Sequence, residues 1–269
     1  MLDAFLHEPH HFCLVFERLG VSLHEFMRKD CTRGLLIANV QRVAQQVLQC
    51  LCFMHGLGLS HTDLKCRNVM LRDPRYELAP LPRAKCVDTR RPKCGDIVVI
   101  DFGGALFAGE RDDGKIGTRH YRAPEVIAGL AWDEKVDVWA AGCLIALTYL
   151  GFRPVGANED LEQLALMERL LGKEMPRPMG REALAKGAGS VGKELFHKSG
   201  RVDWPERAPD QEAVDRVAAA QPLKEQIASH HGGLLQLLEG MLQFDPKRRL
   251  SAEAAADLPF AQEDHAVAE

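Results

Sequence analysis

With 269 residues, 46% of them hydrophobic and 27% charged, the chain is long enough for one or two domains with a substantial core. A formal charge of −4 excludes the global basic field of a protein that coats nucleic acid. Eight cysteines with no C-x-x-C spacing give no zinc framework, and a reduced intracellular setting is the simpler reading.

The opening "MLDAFLHEPHH" has neither the basic nor the apolar region of a signal peptide. "HFCLVF", His11 to Phe16, reads as a strand, and "VSLHEFMRK" after it as a short helix. Apolar residues recur at helical spacing from Leu36 to Met54, and Gly56 and Gly58 end that stripe. Asp73 to Asp96, with its prolines and charges, is expected to be an exposed excursion, and "DIVVID" a strand. Residues 101–125 read as loop, and helices are expected at 134–150, 159–171, 233–243 and 251–257. The stretch 173–232, rich in Gly, Pro, Ala and charge, is expected to be irregular. The run Val138 to Phe152 is too short to span a bilayer and reads as a helix buried on all sides. Strands early and helices late predict an α+β fold, mainly α, with a small β element at one edge.

Two short stretches carry chemistry. "HTDLKCRN" offers a carboxylate, Asp63, to receive a hydroxyl proton, a cation, Lys65, for a transferring phosphate, and Asn68 as a magnesium ligand. Phosphoryl transfer asks for these groups, since it depends on positioning and charge neutralisation more than on covalent catalysis. The spacing D-L-K-x-x-N matches the protein kinase signature, with Thr62 where that signature has arginine. "DFG" follows the strand "IVVI" and makes Asp101 the main magnesium ligand; "GTRHYRAPE" comes next. Any one of these pieces is weak, and a capping carboxylate or a solvated lysine is the bland reading of each residue. Their order and context give them weight.

The segments "FCLVFERLGVSLHEFMRK", "SHTDLK", "VVIDFGGALF", "GTRHYRAPEVI", "DEKVDVWAAGCLI", "LEQLALMERLLG" and "QFDPKRRLSAEAA" together resemble the Clk/LAMMER branch of protein kinases, from about Asp3 to Phe260. The resemblance implies a serine/threonine or dual-specificity kinase that moves the γ-phosphate of ATP to protein hydroxyls with Mg2+, located in the nucleus or cytoplasm. It implies a kinase C-terminal lobe at 21–262, a remnant of the N-lobe sheet and hinge at 1–20, and a tail at 263–269. It places Phe16 as gatekeeper, Glu17 and Leu19 in the hinge that binds adenine, and Leu71 among the adenine-facing residues. Thr118 would bond both Asp63 and Lys65, Asp137 would hold the catalytic loop by its backbone N–H groups, and Glu125 and Arg249 would form a buried ion pair. Protein substrates are implied, with no direct nucleic-acid or membrane partner.

Three features depart from the family. No glycine-rich loop, strand lysine or partner glutamate precedes Phe16, so weak activity of these 269 residues alone is expected, with an exposed apolar patch around Leu14, Phe16 and Leu71. "CRN" stands where the family has Pro-Glu-Asn, so Arg67 reverses a charge that meets arginine in basic substrates. Either the family's arginine/serine-rich substrates are disfavoured, or the change is a tolerated surface substitution. "GAGSVGKE", Gly187 to Glu194, imitates a phosphate loop, but a helical sequence precedes it and Glu194 occupies the hydroxyl position. A catalytically silent module that docks partners through the LAMMER-like helix is the alternative to an enzyme.

Overall fold

The computed structural model describes all residues except Pro9, Lys29, Cys86, 111–114, 187–190 and 263–269. Strands β1 (Asp3–His7) and β2 (His11–Val15) form an antiparallel hairpin in register Asp3 with Val15. A short helix, α1 (Leu23–Met27), follows; its Ser22 hydroxyl accepts from the Glu25 N–H while the Glu25 carboxylate accepts from the Ser22 N–H, a reciprocal cap. Helix α2 (Ile37–Gly56) buries the stripe read from the sequence, from Val40 to Met54. Gly58, at φ +69°, turns the chain out of it.

Four very short strands then frame two loops. β3 (Leu59–Ser60) and β4 (Val69–Leu71) flank residues 61–68; β7 (Ile97–Val99) and β8 (Leu106–Phe107) flank residues 100–105. β3 pairs with β8 and β4 with β7, both antiparallel, so the two loops emerge side by side. Residues 73–96 are largely exposed, as expected, but regular in backbone. They fold into the hairpin β5 (Tyr76–Leu81) and β6 (Val87–Pro92), anchored where Leu81 and Thr89 are buried and the Thr89 hydroxyl donates to the Gly34 carbonyl. Charge and proline concealed the alternation, because most of this hairpin faces solvent.

After α3 (Pro124–Ile127) comes α4 (Lys135–Leu150), fourteen of whose sixteen residues are buried. It is the axis of the core. α2 packs on one side and α10 (Gly232–Met241) on another, and Gly142 lets α10 approach closely: a Cβ there would lie 2.9 Å from Leu242. Trp139 packs beside Phe244, and Gly151, at φ +82°, closes the helix in the left-handed conformation.

The LAMMER-like helix α5 (Asp160–Leu171) is mostly inside the molecule. The region expected to be irregular contains α6 (Arg177–Ala185), α7 (Gly192–Leu195), α8 (Gln211–Ala219) and α9 (Leu223–Gln226). Each is short, and their apolar faces are satisfied by packing α6 on α7 and α8 on α5, which composition alone does not reveal. α11 (Ala252–Ala256) and α12 (Pro259–Gln262) close against α2.

The architecture is α+β and mainly helical. Among the described residues no helix is long and apolar enough to cross a membrane, and every described cysteine is free. A helix, not a strand, precedes the glycine-rich decoy, as its rejection requires; residues 187–190, Cys86 and the expected tail at 263–269 lie outside the described residues.

Candidate active site

Asp63 lies in the first of the two framed loops. Its Oδ1 accepts from the Thr118 N–H at 2.9 Å and the Thr118 hydroxyl at 2.7 Å. Its Oδ2 pairs with the Lys65 ammonium, which also donates to the Thr118 hydroxyl at 3.1 Å. Partial burial alone would push the Asp63 carboxyl up, but the bonds from Lys65 and Thr118 more than offset this and hold its pKa below the usual carboxylate value. Asp63 is therefore ionised at neutral pH and aimed by two side chains. Asn68 is buried and donates its amide to the Asp63 carbonyl at 3.0 Å, which leaves its side-chain oxygen as the free acceptor.

The loop is suspended from α4. Asp137 is buried in the first turn of that helix, and its two oxygens accept from the His61 and Thr62 N–H groups at 2.7 and 2.8 Å, with His55 Nε2 at 3.1 Å. Those bonds hold Thr62 at φ +66°, a conformation a β-branched residue seldom adopts. In return the Thr62 hydroxyl donates to the Gly104 carbonyl at 2.7 Å and ties the first loop to the second. Threonine in place of arginine thus becomes a structural bridge.

Asp101 is exposed and also has a positive φ, +70°. The Ile100 N–H donates to the Asn68 carbonyl at 2.9 Å, which brings the start of the second loop against Asn68. The His61 ring packs on Phe102, 5.2 Å between centroids, and lies 3.1 Å from the Ile100 carbonyl. A carboxylate and an amide oxygen are hard donors suited to Mg2+, which is bound by one or two carboxylates together with substrate phosphates. Among the described residues no cluster of three or more His, Cys, Asp or Glu could hold a metal unaided.

The ion pair expected across 124 residues is present: Arg249 meets Glu125 in a fork at 2.7 and 2.8 Å, with both side chains buried. Arg249 also donates to the carbonyls of Lys135 and Gln243 and lies over the Trp139 ring. The pair thereby locks the α3 turn to the segment after α10.

Among the residues expected around adenine and in the apolar patch, Phe16 is 60% exposed and Leu14 49%. Glu17 is exposed and pairs with Arg72 at 2.7 Å; Leu19 is half-buried. Leu71 requires a correction. It is only 2% exposed and belongs to the hydrophobic core, so it contributes neither to an adenine-facing surface nor to an exposed patch. Side chains alternate across a strand, and on β4 Val69 and Leu71 point inward while Met70 is the partly open residue. A three-residue strand carries too little alternation for the sequence to separate Met70 from Leu71.

The sequence pattern of the protein kinase domain matches residues 1–261. The chain belongs to the protein kinase domain family. It is 38% identical over 263 residues to the serine/threonine-protein kinase AFC2 of Arabidopsis thaliana, covering 93% of this chain and 59% of that protein. It is 35% identical to the human dual specificity protein kinase CLK1, covering 97% and 52%, and 33% identical to the probable serine/threonine-protein kinase clkA of Dictyostelium discoideum, covering 97% and 28%. The resemblance to Clk-type kinases drawn from the motifs therefore holds, although this kinase domain spans about half the length of most of those relatives. A crystal structure described as a kinase domain superposes with a TM-score of 0.89 at 32% identity, covering 97% of this chain and 76% of that one.

Proposed function

We propose that this kinase domain serves a protein serine/threonine kinase, of single or dual specificity, that moves the γ-phosphate of ATP to a protein hydroxyl. The carrying observation is the Asp63 carboxylate, held by Thr118 and Lys65 at the mouth of a loop that α4 suspends. Asp63 orients the acceptor hydroxyl and takes its proton. Lys65, already beside Asp63, offsets the charge that gathers on the transferred group. Asn68 and Asp101 would hold Mg2+, which neutralises the phosphate oxygens when bound. Phe16, Glu17, Leu19 and Met70 form the face on which adenine rests. The site's location, nuclear or cytoplasmic, follows only from the kinship.

Phosphoryl transfer also asks for a lysine and a covering loop on the α- and β-phosphates. The test therefore uses two proteins, these 269 residues alone and the same residues joined to a segment bearing a glycine-rich loop and a strand lysine, each with Asp63 and with Asp63→Asn. Turnover of ATP with a serine peptide is expected to be strong only in the joined, Asp63-bearing protein. Loss of one preorganised contact costs about 10²–10³ in rate, which places the shorter protein near the detection limit. Equal phosphate transfer with and without Asp63, or none in any protein, would leave the domain as a silent docking module. Docking through α5 is disfavoured already, because Leu161, Leu164, Met167 and Leu170 of that helix are spent in the core.

A further inference from the structure

Around the acceptor side of Asp63, the surface gathers arginine and lysine from four separate segments. Arg67 stands exposed in the catalytic loop, two residues past Lys65. The His24 N–H donates to the Cys66 carbonyl at 3.1 Å, so α1 and its following Arg28 lie beside Arg67. The Tyr121 hydroxyl accepts from the Cys66 N–H at 3.5 Å and ties residues 115–123, the activation segment between β8 and α3, to the same loop. On that segment Lys115, Arg119 and Arg122 crowd one carboxylate, Asp160: Lys115 and Arg119 (2.8 Å) bond it and Arg122 lies at 3.9 Å. Arg153 is exposed after α4, and its charge reaches both His24 on α1 and His120 beside Arg119. After burial itself, the charges of Arg67, Arg153 and Arg28 lower the pKa of His24, and those of Arg153 and Arg119 lower that of His120.

Three of the carboxylates in this region are already engaged. Asp63 pairs with Lys65, Asp160 is shared among three cations, and Glu25 caps α1, with some attraction for His24. Arg67 and Arg153 enter no salt bridge among the described residues. A chain segment that presents its hydroxyl to Asp63 must therefore lie across unneutralised positive charge.

We propose that this face selects acceptor segments carrying anionic groups beside the target hydroxyl, and disfavours arginine-rich ones. Arg67 and Arg153 are the specificity-determining residues. The anionic group is a carboxylate of Asp or Glu, or the phosphate of a residue already phosphorylated; both accept fork-shaped hydrogen bonds from arginine. The inference rests on the kinase reading only for the position of the acceptor hydroxyl.

The experiment measures binding, by fluorescence anisotropy at low and moderate salt, of four labelled peptides that share one acceptor serine. Its flanks are neutral, Asp/Glu-rich, phosphoserine-bearing or arginine-rich. The anionic peptides are expected to bind about three- to tenfold more tightly than the neutral one, in line with one or two partly exposed ion pairs. The arginine-rich peptide binds more weakly than the neutral one, and salt compresses the whole range. Arg67→Glu and Arg153→Glu should shrink or invert the order, while Lys198→Glu, an exposed change elsewhere, leaves it intact. A clear advantage of phosphoserine over Asp/Glu assigns the preference to previously phosphorylated segments; equal affinity assigns it to acidic ones. Arginine-rich binding equal to or above anionic binding, no measurable anionic binding at low salt, or an order unmoved by both charge reversals would overturn the inference. Charge-ordered binding without Asp63-dependent turnover would sink the kinase reading and spare this one; Asp63-dependent turnover without charge order does the reverse.

Discussion

The catalytic loop and the β1–β2 face present opposite solutions to the same demand for geometry. In the loop, residues 61–68 are short and irregular, yet almost every polar group has a named partner: Asp137 takes two backbone N–H groups, Asn68 holds the Asp63 carbonyl, and Thr118 holds its carboxylate. On the β1–β2 face the secondary structure is regular, but all the apolar side chains of β1 and most of those of β2 are exposed, including Phe5, Leu6, Phe12 and Leu14. Regular backbone does not make a region organised, and irregular backbone does not make it loose. What counts is whether the buried polar groups are satisfied from a rigid neighbour, and α4 is that neighbour for the loop alone.

The comparison breaks most visibly at the ion pair that locks the large body. Glu125→Ala should remove about 3–5 kcal/mol of stability, because it strands the buried Arg249 charge, and urea unfolding measures this. Adding Arg249→Met should recover part of the loss. A cost below 1 kcal/mol for the single change would show that the pair is ornamental.

Next in size is the suspension of the loop. Asp137→Ala leaves the His61 and Thr62 N–H groups without their acceptor, at about 1–3 kcal/mol for each buried group left unpaired. Misplacing Asp63 by an ångström would add about a 10²-fold loss of turnover. Stability and turnover should fall together; turnover unchanged under a clear stability loss would mean that the loop holds its own shape.

Thr118→Val sharpens the comparison inside the site. It removes the two hydroxyl bonds to Asp63 and Lys65, at about 0.5–1.5 kcal/mol for each. It should also raise the pKa of Asp63, since the threonine is one of the two side chains that keep it low. A depressed carboxylate contributes stability above its ordinary pKa and loses it as pH falls through its folded value. The acid limb of the pH–rate profile should accordingly move to higher pH in the variant, and an unmoved limb would remove Asp63 from the role of base.

By contrast, Phe16→Ser and Leu14→Ser should change stability by no more than about 0.5 kcal/mol, since both residues are exposed. They should reduce self-association of the 269-residue protein in sedimentation, because an exposed apolar patch favours association. Loss of folding in either variant would place this face in the core after all.

The smallest effect belongs to His24 and His120. Burial, followed by nearby arginines, lowers both pKa values below the ordinary histidine value. Their neutral forms fit the folded state, so their contribution is full above about pH 6.5 and fades as pH falls through the lowered values. A modest drop in Tm between pH 7.5 and 5.5 should flatten in the double His24→Asn, His120→Asn protein; an unchanged slope would trace the pH dependence to other groups.

The sequence by itself determined the parts whose logic is local or tied to fixed spacing. The helical stripe of α2, the unbroken apolar run of α4, and the residues Asp63, Lys65, Asn68 and Asp101 were legible because period and spacing are written along the chain. The meetings of Asp137 with the loop, and of Glu125 with Arg249, came from resemblance rather than from any local signal. Only the tertiary structure decided which side of β4 is buried, and so put Leu71 in the core and left Met70 partly open, because a three-residue strand has too few positions to declare its buried face. It also revealed the β5–β6 hairpin and the helices α6 to α9, whose apolar residues are sparse and gain their burial from partners far away in sequence. The cationic face formed by Arg67, Arg153 and the Asp160 cluster is of the same kind. Charge adds up in space, and its four segments are brought together only when α4 and α5 hold the activation segment against the catalytic loop.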